Sequence, residues 1–254
     1  ENFIKYIKPY FSYEKHKIDN SRFLFVGSNA ILENRVTSAN YLLNKRTVIS
    51  FNHANYNTLI IDEPHQEYTE HAFCSYYVDC GSLKKNKKKL KSNFLAPKEI
   101  IYLDNPNYTQ TLIKKNITKN EKNIFVPDAF NGDKRHGPYR EMDDEKYLKF
   151  QSKLIGLKSN ILIKNHPKNQ IFSRLYGSQN FKLISKKNIS GKLSCMVNKY
   201  PLFIVDRISQ AFFEIAHGKS KILLFDIGRR RIYKKIMNEV KKRAYVVKID
   251  PYNT

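Results

Sequence analysis

Short apolar runs of strand length alternate along this chain with longer stretches of helical period. That alternation predicts βαβ units, in which helices cover a parallel sheet. Phe23 to Gly27 reads as a buried strand, followed by a helix running to about Asn44 and a second strand over Thr47 to Phe51. The spacing then predicts a helix from Gln66 to Val78, a strand over Lys98 to Leu103 and a helical segment up to Lys119. A new unit opens with a strand at Asn123 to Pro127. Its loop, Asp128 to Arg140, precedes a helix beginning in Asp143, Asp144 and Glu145, where acidic side chains suit the positive end of the helix dipole. Strands follow at 161–164, 181–185, 202–205, 221–225 and 245–249, with helices near 190–199, over 208–217 and over 230–242. Gly218 stands where a left-handed helix-terminating glycine is expected. The pattern is α/β, in two units, 1–120 and 121–254, without an internal repeat.

Composition narrows the partners. The chain has 254 residues and 41% hydrophobic content, enough to bury the cores of two small domains. Lys and Arg number 46 against 23 Asp and Glu, a formal net charge of +23, so the surface attracts anions broadly. Nucleic acid, an anionic membrane face and phosphorylated or acidic saccharides all fit. Much of the excess is Lys mixed with Asn and Ile, which an AT-rich genome also writes wherever a surface tolerates it. The run from Lys84 to Lys91 reads as a solvated loop or as a binding patch. The three cysteines, Cys74, Cys80 and Cys195, lack C-x-x-C spacing and indicate neither a disulfide framework nor a zinc site. A reducing cytoplasm is the expected location, with peripheral contact at an inner membrane as an extension of it. No apolar run reaches the roughly 18 to 20 residues of a membrane span, and no signal-peptide core is visible. The first residue is Glu1 rather than Met, as in a processed product or an excerpt.

The candidate chemistry lies at strand ends. Ile161 to Ile163 leads into Lys164, Asn165, His166 and Pro167, and Leu202 to Val205 leads into Asp206, Arg207, Ser209, Gln210 and Glu214. Both runs would empty onto one edge of a parallel sheet, outside the strands' carboxyl ends, where ligands bind in open α/β sheets and where helix starts present N–H groups to anions. The proline ring holds His166 out of helical conformation. Each residue also has a plain structural reading: Asp206 or Ser209 as a helix cap, His166 as an ordinary loop histidine.

Taken in order, K-x-H-P after a strand, a gap of about forty residues, then D-x-x-S-x-x-x-x-E at a strand-to-helix junction resembles the carboxy-terminal domain of GT-B glycosyltransferases and of glycerol-phosphate transferases of bacterial surface polysaccharides. The likeness spans about residues 122–226, with Arg207 and Gln210 where those families often carry small or hydroxylated residues. It implies two Rossmann-like parallel-sheet domains facing across a cleft. It also implies that Lys164, His166, Pro167, Asp206, Ser209, Gln210 and Glu214 hold the phosphate and ribose of a nucleotide-activated donor, with a leaning to cytidine nucleotides, CMP-sugar or CDP-alditol. In the first unit, Phe51 to Tyr56 and Glu67 to Gly81 resemble the surface-carbohydrate transferase segment in which a strand end and His-Gly-Gly-x-Tyr precede a Glu-bearing helix and Trp-Gly. Here Ala54 and Asn55 replace the glycines and Cys80 the tryptophan.

Chemically, His53 and Glu70 are candidates for the base that deprotonates an acceptor hydroxyl, with a hydrogen-bonded loop histidine as the plain alternative for His53. Asp62 and Glu63 form a further acidic pair in an apparent exposed loop. Arg135 and Arg140 can neutralise donor phosphate by bidentate contacts. P-loop, zinc-protease and nucleophile-elbow motifs are missing from the sequence, as is the D-x-D of metal-dependent transferases, so transfer without metal or cofactor is expected. The expected partners are a nucleotide-sugar donor and a saccharide or lipid-linked saccharide acceptor. The competing expectation is a protein without catalysis that binds nucleic acid or docks on an anionic membrane. Dispersed lysines and the lack of an RNA-recognition aromatic motif speak against nucleic acid.

Overall fold

The computed structural model describes residues 21–27, 29, 32–52, 70–80, 97–103, 120–130, 143–166, 171, 173–228 and 232–250. The chain divides into two compact units, residues 1–105 and 106–254. Among the described residues each is an α/β layer built on a parallel sheet, one of four strands and one of five.

In the first unit the strands are β1 (Phe23–Val26), β2 (Thr47–Phe51), β3 (Tyr76–Cys80) and β4 (Glu99–Leu103), paired in that order. Register pairs Phe25 with Ile49, Ile49 with Tyr76 and Tyr76 with Glu99. Helix α1 (Leu32–Leu43) supplies Tyr41 to a small core with Val26, Val48, Cys74 and Tyr77. Burial pushes the Cys74 thiol up to about 12, so it is a packed, protonated group at neutral pH. The helix expected over 66–78 is corrected at its carboxyl end. Tyr76, Tyr77 and Val78 form a central strand, because aromatic and β-branched side chains between two parallel neighbours gain more from packing there than their helical spacing suggests. The amino-terminal part of that segment, and the helix expected before Lys119, lie outside the described residues.

The second unit contains β5 (Asn123–Val126), α2 (Asp144–Gly156), β6 (Ile161–Ile163), α3 (Gln179–Lys187), β7 (Leu202–Val205), α4 (Gln210–Ala216), β8 (Lys221–Asp226), α5 (Lys234–Arg243) and β9 (Tyr245–Lys248). Its sheet order is β6-β5-β7-β8-β9. Helix α2 starts at the acidic cluster as expected, and Asp143 caps it by accepting the Glu145 N–H at 3.0 Å. Ile124, Phe125, Phe203 and Ile155 are wholly buried between sheet and helices.

Two assignments are corrected here. Residues 181–185 are helical, within α3: Ser178 caps the start through the Phe181 N–H, Lys186 and Lys187 close the last turn, and Ile184 alone is buried. The helix expected near 190–199 shrinks to one 3₁₀ turn, Leu193–Cys195, between residues with positive φ at Gly191 and Asn198. Gly218 follows α4 without a left-handed backbone. A Cβ there would meet Val197 Cγ1 at 2.2 Å and Asn198 Oδ1 at 2.8 Å, so close approach of the neighbouring turn demands the glycine. Arg243 of α5 completes that corner, donating to the carbonyls of Ala216 at 2.9 Å, Gly218 at 2.7 Å and Ser220 at 2.8 Å.

Candidate functional site

The strand order creates one switch point in the second unit. From β5 the chain crosses to β6 on one side, and from β7 it proceeds to β8 and β9 on the other, so connections diverge between β5 and β7. A crevice outside the carboxyl ends is the expected consequence.

The residues at that point form a chain of bonds. Asp206, 3% exposed, follows β7 and accepts the Asp128 N–H at 2.9 Å through Oδ1. Its Oδ2 accepts the Tyr147 hydroxyl in a short hydrogen bond. Tyr147 reaches it from α2, where edge contact with Phe130 holds the ring. Asp128 in turn accepts the Ala129 N–H at 2.8 Å and pairs with the Arg207 guanidinium at 2.7 Å. Asp206 thus clasps the ends of β5 and β7 from beneath, while Arg207 and Asp128, with side chains 17% and 13% exposed, form the layer above.

Lys164 continues the edge on β6. It is 8% exposed, and its ammonium donates to the Asn165 carbonyl at 2.9 Å. Among the described residues no carboxylate pairs with it, which is unusual for a buried cation. Its strand end is braced from the segment after α3, where the Ile189 N–H donates to Ile163 at 2.9 Å and Asn188 accepts the Asn165 N–H at 3.1 Å. His166 follows in exposed, non-helical chain.

Ser209 occupies the N-cap of α4 with extended backbone, yet its hydroxyl makes no capping hydrogen bond. It is half-buried, as are Gln210 and Glu214. With seven residues α4 is short and carries a weak dipole, so the fixed cations of this edge are Lys164 and Arg207, the latter paired with Asp128. Desolvation raises the Glu214 carboxyl above its ordinary 4.5. A native state that holds its proton longer than the unfolded chain loses stability as pH rises through that interval. Glu214→Gln is therefore expected to be more stable than the parent at pH 7, with the difference vanishing below about pH 4.5; urea melts at both pH values check this.

In the first unit, Glu70 is 2% exposed and accepts the Tyr77 hydroxyl at 2.5 Å. His71 packs edge-on against Tyr77, ring centres 4.3 Å apart. The turn carrying them is tied to α1 through Asn29, which donates to Ala72 at 3.1 Å and accepts from Ser38 at 2.9 Å. Glu70 therefore sits in the core of the first unit, its carboxylate held by the Tyr77 hydroxyl. At the carboxyl ends of β2 and β3, Asn52 donates to Asp79 at 3.0 Å, and Asp79 is 3% exposed. Burial first, and the charge of Asp79 second, raise the Tyr102 phenol.

The structure thus brings Lys164, Asp206, Ser209 and Gln210 to one sheet edge, with His166 beside Lys164. His53, Asp62, Glu63, Arg135, Arg140 and Pro167 lie outside the described residues. Sequence reasoning left out Tyr147, hidden in an apolar helix face, and Asp128 and Asp79, which carried no motif. Arg207 appeared only as a departure from pattern. Among the described residues no His, Cys, Asp and Glu cluster has metal-binding geometry, and no helix is long and apolar enough to cross a membrane.

No protein-family model matches the chain, nor does any curated protein. A solved structure described as "Crystal structure of GtfA/B complex" aligns with 10% identity and a TM-score of 0.39, over 96% of this chain and 48% of that one. The chain spans about half the length of that structure, and a likeness so loose decides neither fold nor activity. The molecule is defined by its own geometry: an α/β protein with two parallel sheets and a cation-bearing switch point.

Proposed function

We propose that this chain is a glycosyltransferase that uses a nucleotide-activated sugar, with cytidine nucleotides favoured, to extend a bacterial surface polysaccharide. The observation that carries the reading is Lys164, a buried ammonium without a carboxylate partner among the described residues, on the same sheet edge as Arg207. Such an edge suits a phosphate group. Ser209 and Gln210 offer side chains for ribose or phosphate oxygens, with Arg135 and Arg140 as further cations from the loop after β5. The two units, residues 1–105 and 106–254, correspond in this proposal to the acceptor and donor domains of a GT-B enzyme.

The acceptor hydroxyl loses its proton to a base, with His53 the first candidate, and its oxygen bonds the donor's anomeric carbon. The bond from that carbon to the phosphate oxygen breaks, and the nucleotide leaves carrying the electron pair. Lys164 and Arg207 stabilise the charge that develops on the phosphate, as fixed cations do without a metal.

The test is a thermal-shift screen with CMP, CDP, UDP, GDP and their sugars, since a ligand at 100 times its Kd adds roughly 2.7 kcal/mol. His166→Ala and Ser209→Ala are each expected to weaken nucleotide binding by about 1–3 kcal/mol, the range for losing a hydrogen bond to a charged group. Unchanged affinity in both folded variants removes this donor site. Tight oligonucleotide binding with a steep salt dependence, and no response to nucleotides, replaces the transferase reading altogether.

A further inference from the structure

In a parallel sheet the helices run back against the strands, so the opposite, amino-terminal edge collects every helix end and every entry into a strand. In the second unit that edge is continuous. Asn160 bonds to Glu121 across the starts of β6 and β5, Lys221 to Pro201 across β8 and β7, and Arg243 to Ser220 across β9 and β8. Five strands give it a span of roughly 19 Å.

Exposed lysines stand along its whole length: Lys158 before β6, Lys122 before β5, Lys199 before β7, Lys219 and Lys221 at β8, and Lys241 at the end of α5. Lys241 suits the helix dipole, but Lys122 and Lys221 lie beyond any last helical turn and have no such role. Among the described residues Glu121 is the exposed acid beside them, and Glu239 is held by Lys242 at 2.8 Å. Among these lysines protrude Leu157, 74% exposed, and Tyr245, 75% exposed. Among the described residues these are the two most exposed large apolar side chains of the unit; Leu157 follows α2 at this edge, and Tyr245 opens the outer strand β9 opposite Leu223, two residues in from Lys221.

We propose that the amino-terminal edge of the five-stranded sheet docks on an anionic lipid surface, with Leu157 and Tyr245 entering the headgroup layer between the lysines. Lysine suits the diffuse charge of a membrane, whereas arginine predominates where phosphates are gripped individually. An aliphatic Leu157 has no base-stacking use but gains from partial burial in lipid, and tyrosine favours the interface itself. Docked this way, the protein turns the carboxyl edge with Lys164 and Arg207 away from the membrane and leaves it open to a water-borne anion.

Co-sedimentation of the full chain with vesicles tests this. Vesicles of equimolar phosphatidylglycerol and phosphatidylcholine are expected to bind at least about 10²-fold more tightly than phosphatidylcholine alone, since each lysine near the surface contributes about five-fold. The triple variant Lys158→Glu, Lys219→Glu, Lys221→Glu is expected to lose about 10²-fold or more, and Leu157→Ser with Tyr245→Ser about ten-fold. All five positions are exposed, so melting temperature and nucleotide response stay those of the parent; Lys→Gln at the same three sites serves if the reversal unfolds the chain. Equal binding to neutral and anionic vesicles, or anionic binding unmoved by both variants, overturns the proposal. So does absent vesicle binding combined with oligonucleotide binding that the charge variant abolishes, which marks the edge as a nucleic-acid surface.

Discussion

Asp206→Ala is expected to destabilise the second unit by about 2–5 kcal/mol, because it strips the acceptors from two donors and leaves both inside the protein. The Asp128 N–H and the Tyr147 hydroxyl each end on this carboxylate, and the residue is 3% exposed. Water has little access to replace it. A buried polar group without a partner costs about 1–3 kcal/mol, and here there are two, so the loss exceeds that of an ordinary cap deletion. Tyr147→Phe removes one donor and is expected to cost less, about 1–3 kcal/mol. The double variant should cost less than the sum, since one bond is counted in both single changes. Urea titrations of the four proteins measure all of this. If Asp206→Ala unfolds within about 1 kcal/mol of the parent, the clasp between β5 and β7 contributes little and Asp206 is free to serve a ligand instead.

Lys164→Met is expected to move stability and binding in opposite directions. The ammonium is buried against one carbonyl, without a paired carboxylate among the described residues, so an apolar chain of similar length removes a desolvation cost and leaves the empty protein as stable as the parent or more so. Nucleotide affinity is expected to fall by about 2–4 kcal/mol, roughly 30- to 1000-fold, as when one partner of a desolvated charge pair is truncated. A structural lysine predicts the reverse: lower stability and unchanged affinity. Thermal melts with and without CMP or CDP separate the two. Stability given up to keep a binding-competent charge is a recognised trade-off at functional sites.

The parts of the fold visible in the sequence are those where one period dominates. Leu202 to Val205 and Lys221 to Phe225 are continuous apolar runs bounded by polar turns, and both are strands. Tyr76 to Val78 escaped because a helical spacing overlies a run that the centre of a sheet claims, and Phe181 to Ser185 escaped because a short amphipathic helix can imitate a strand. Strand-end position placed Lys164, Asp206 and Ser209 at one edge in advance, since every residue after a parallel strand arrives at the same edge. It could not find Tyr147 or Arg207 as partners of Asp206 and Asp128, because those pairs stand 59 and 79 residues apart and no local rule links them.

The same separation sets an order of events during synthesis. β5, α2 and β6 are neighbours in sequence and can pair as soon as residue 163 has left the ribosome, but β7 inserts on the opposite side of β5 only some forty residues later. Until then β5 is an edge strand with one flank unpaired, and its central Phe125 lacks the neighbour Ile204 that later closes the sheet. At about 5–20 residues per second that interval lasts a few seconds, long enough for the open flank to meet other chains. Overproduction with slow initiation should favour soluble protein, because the vulnerable species is the nascent chain with β7 still to come rather than the finished domain, and fewer such chains then coexist.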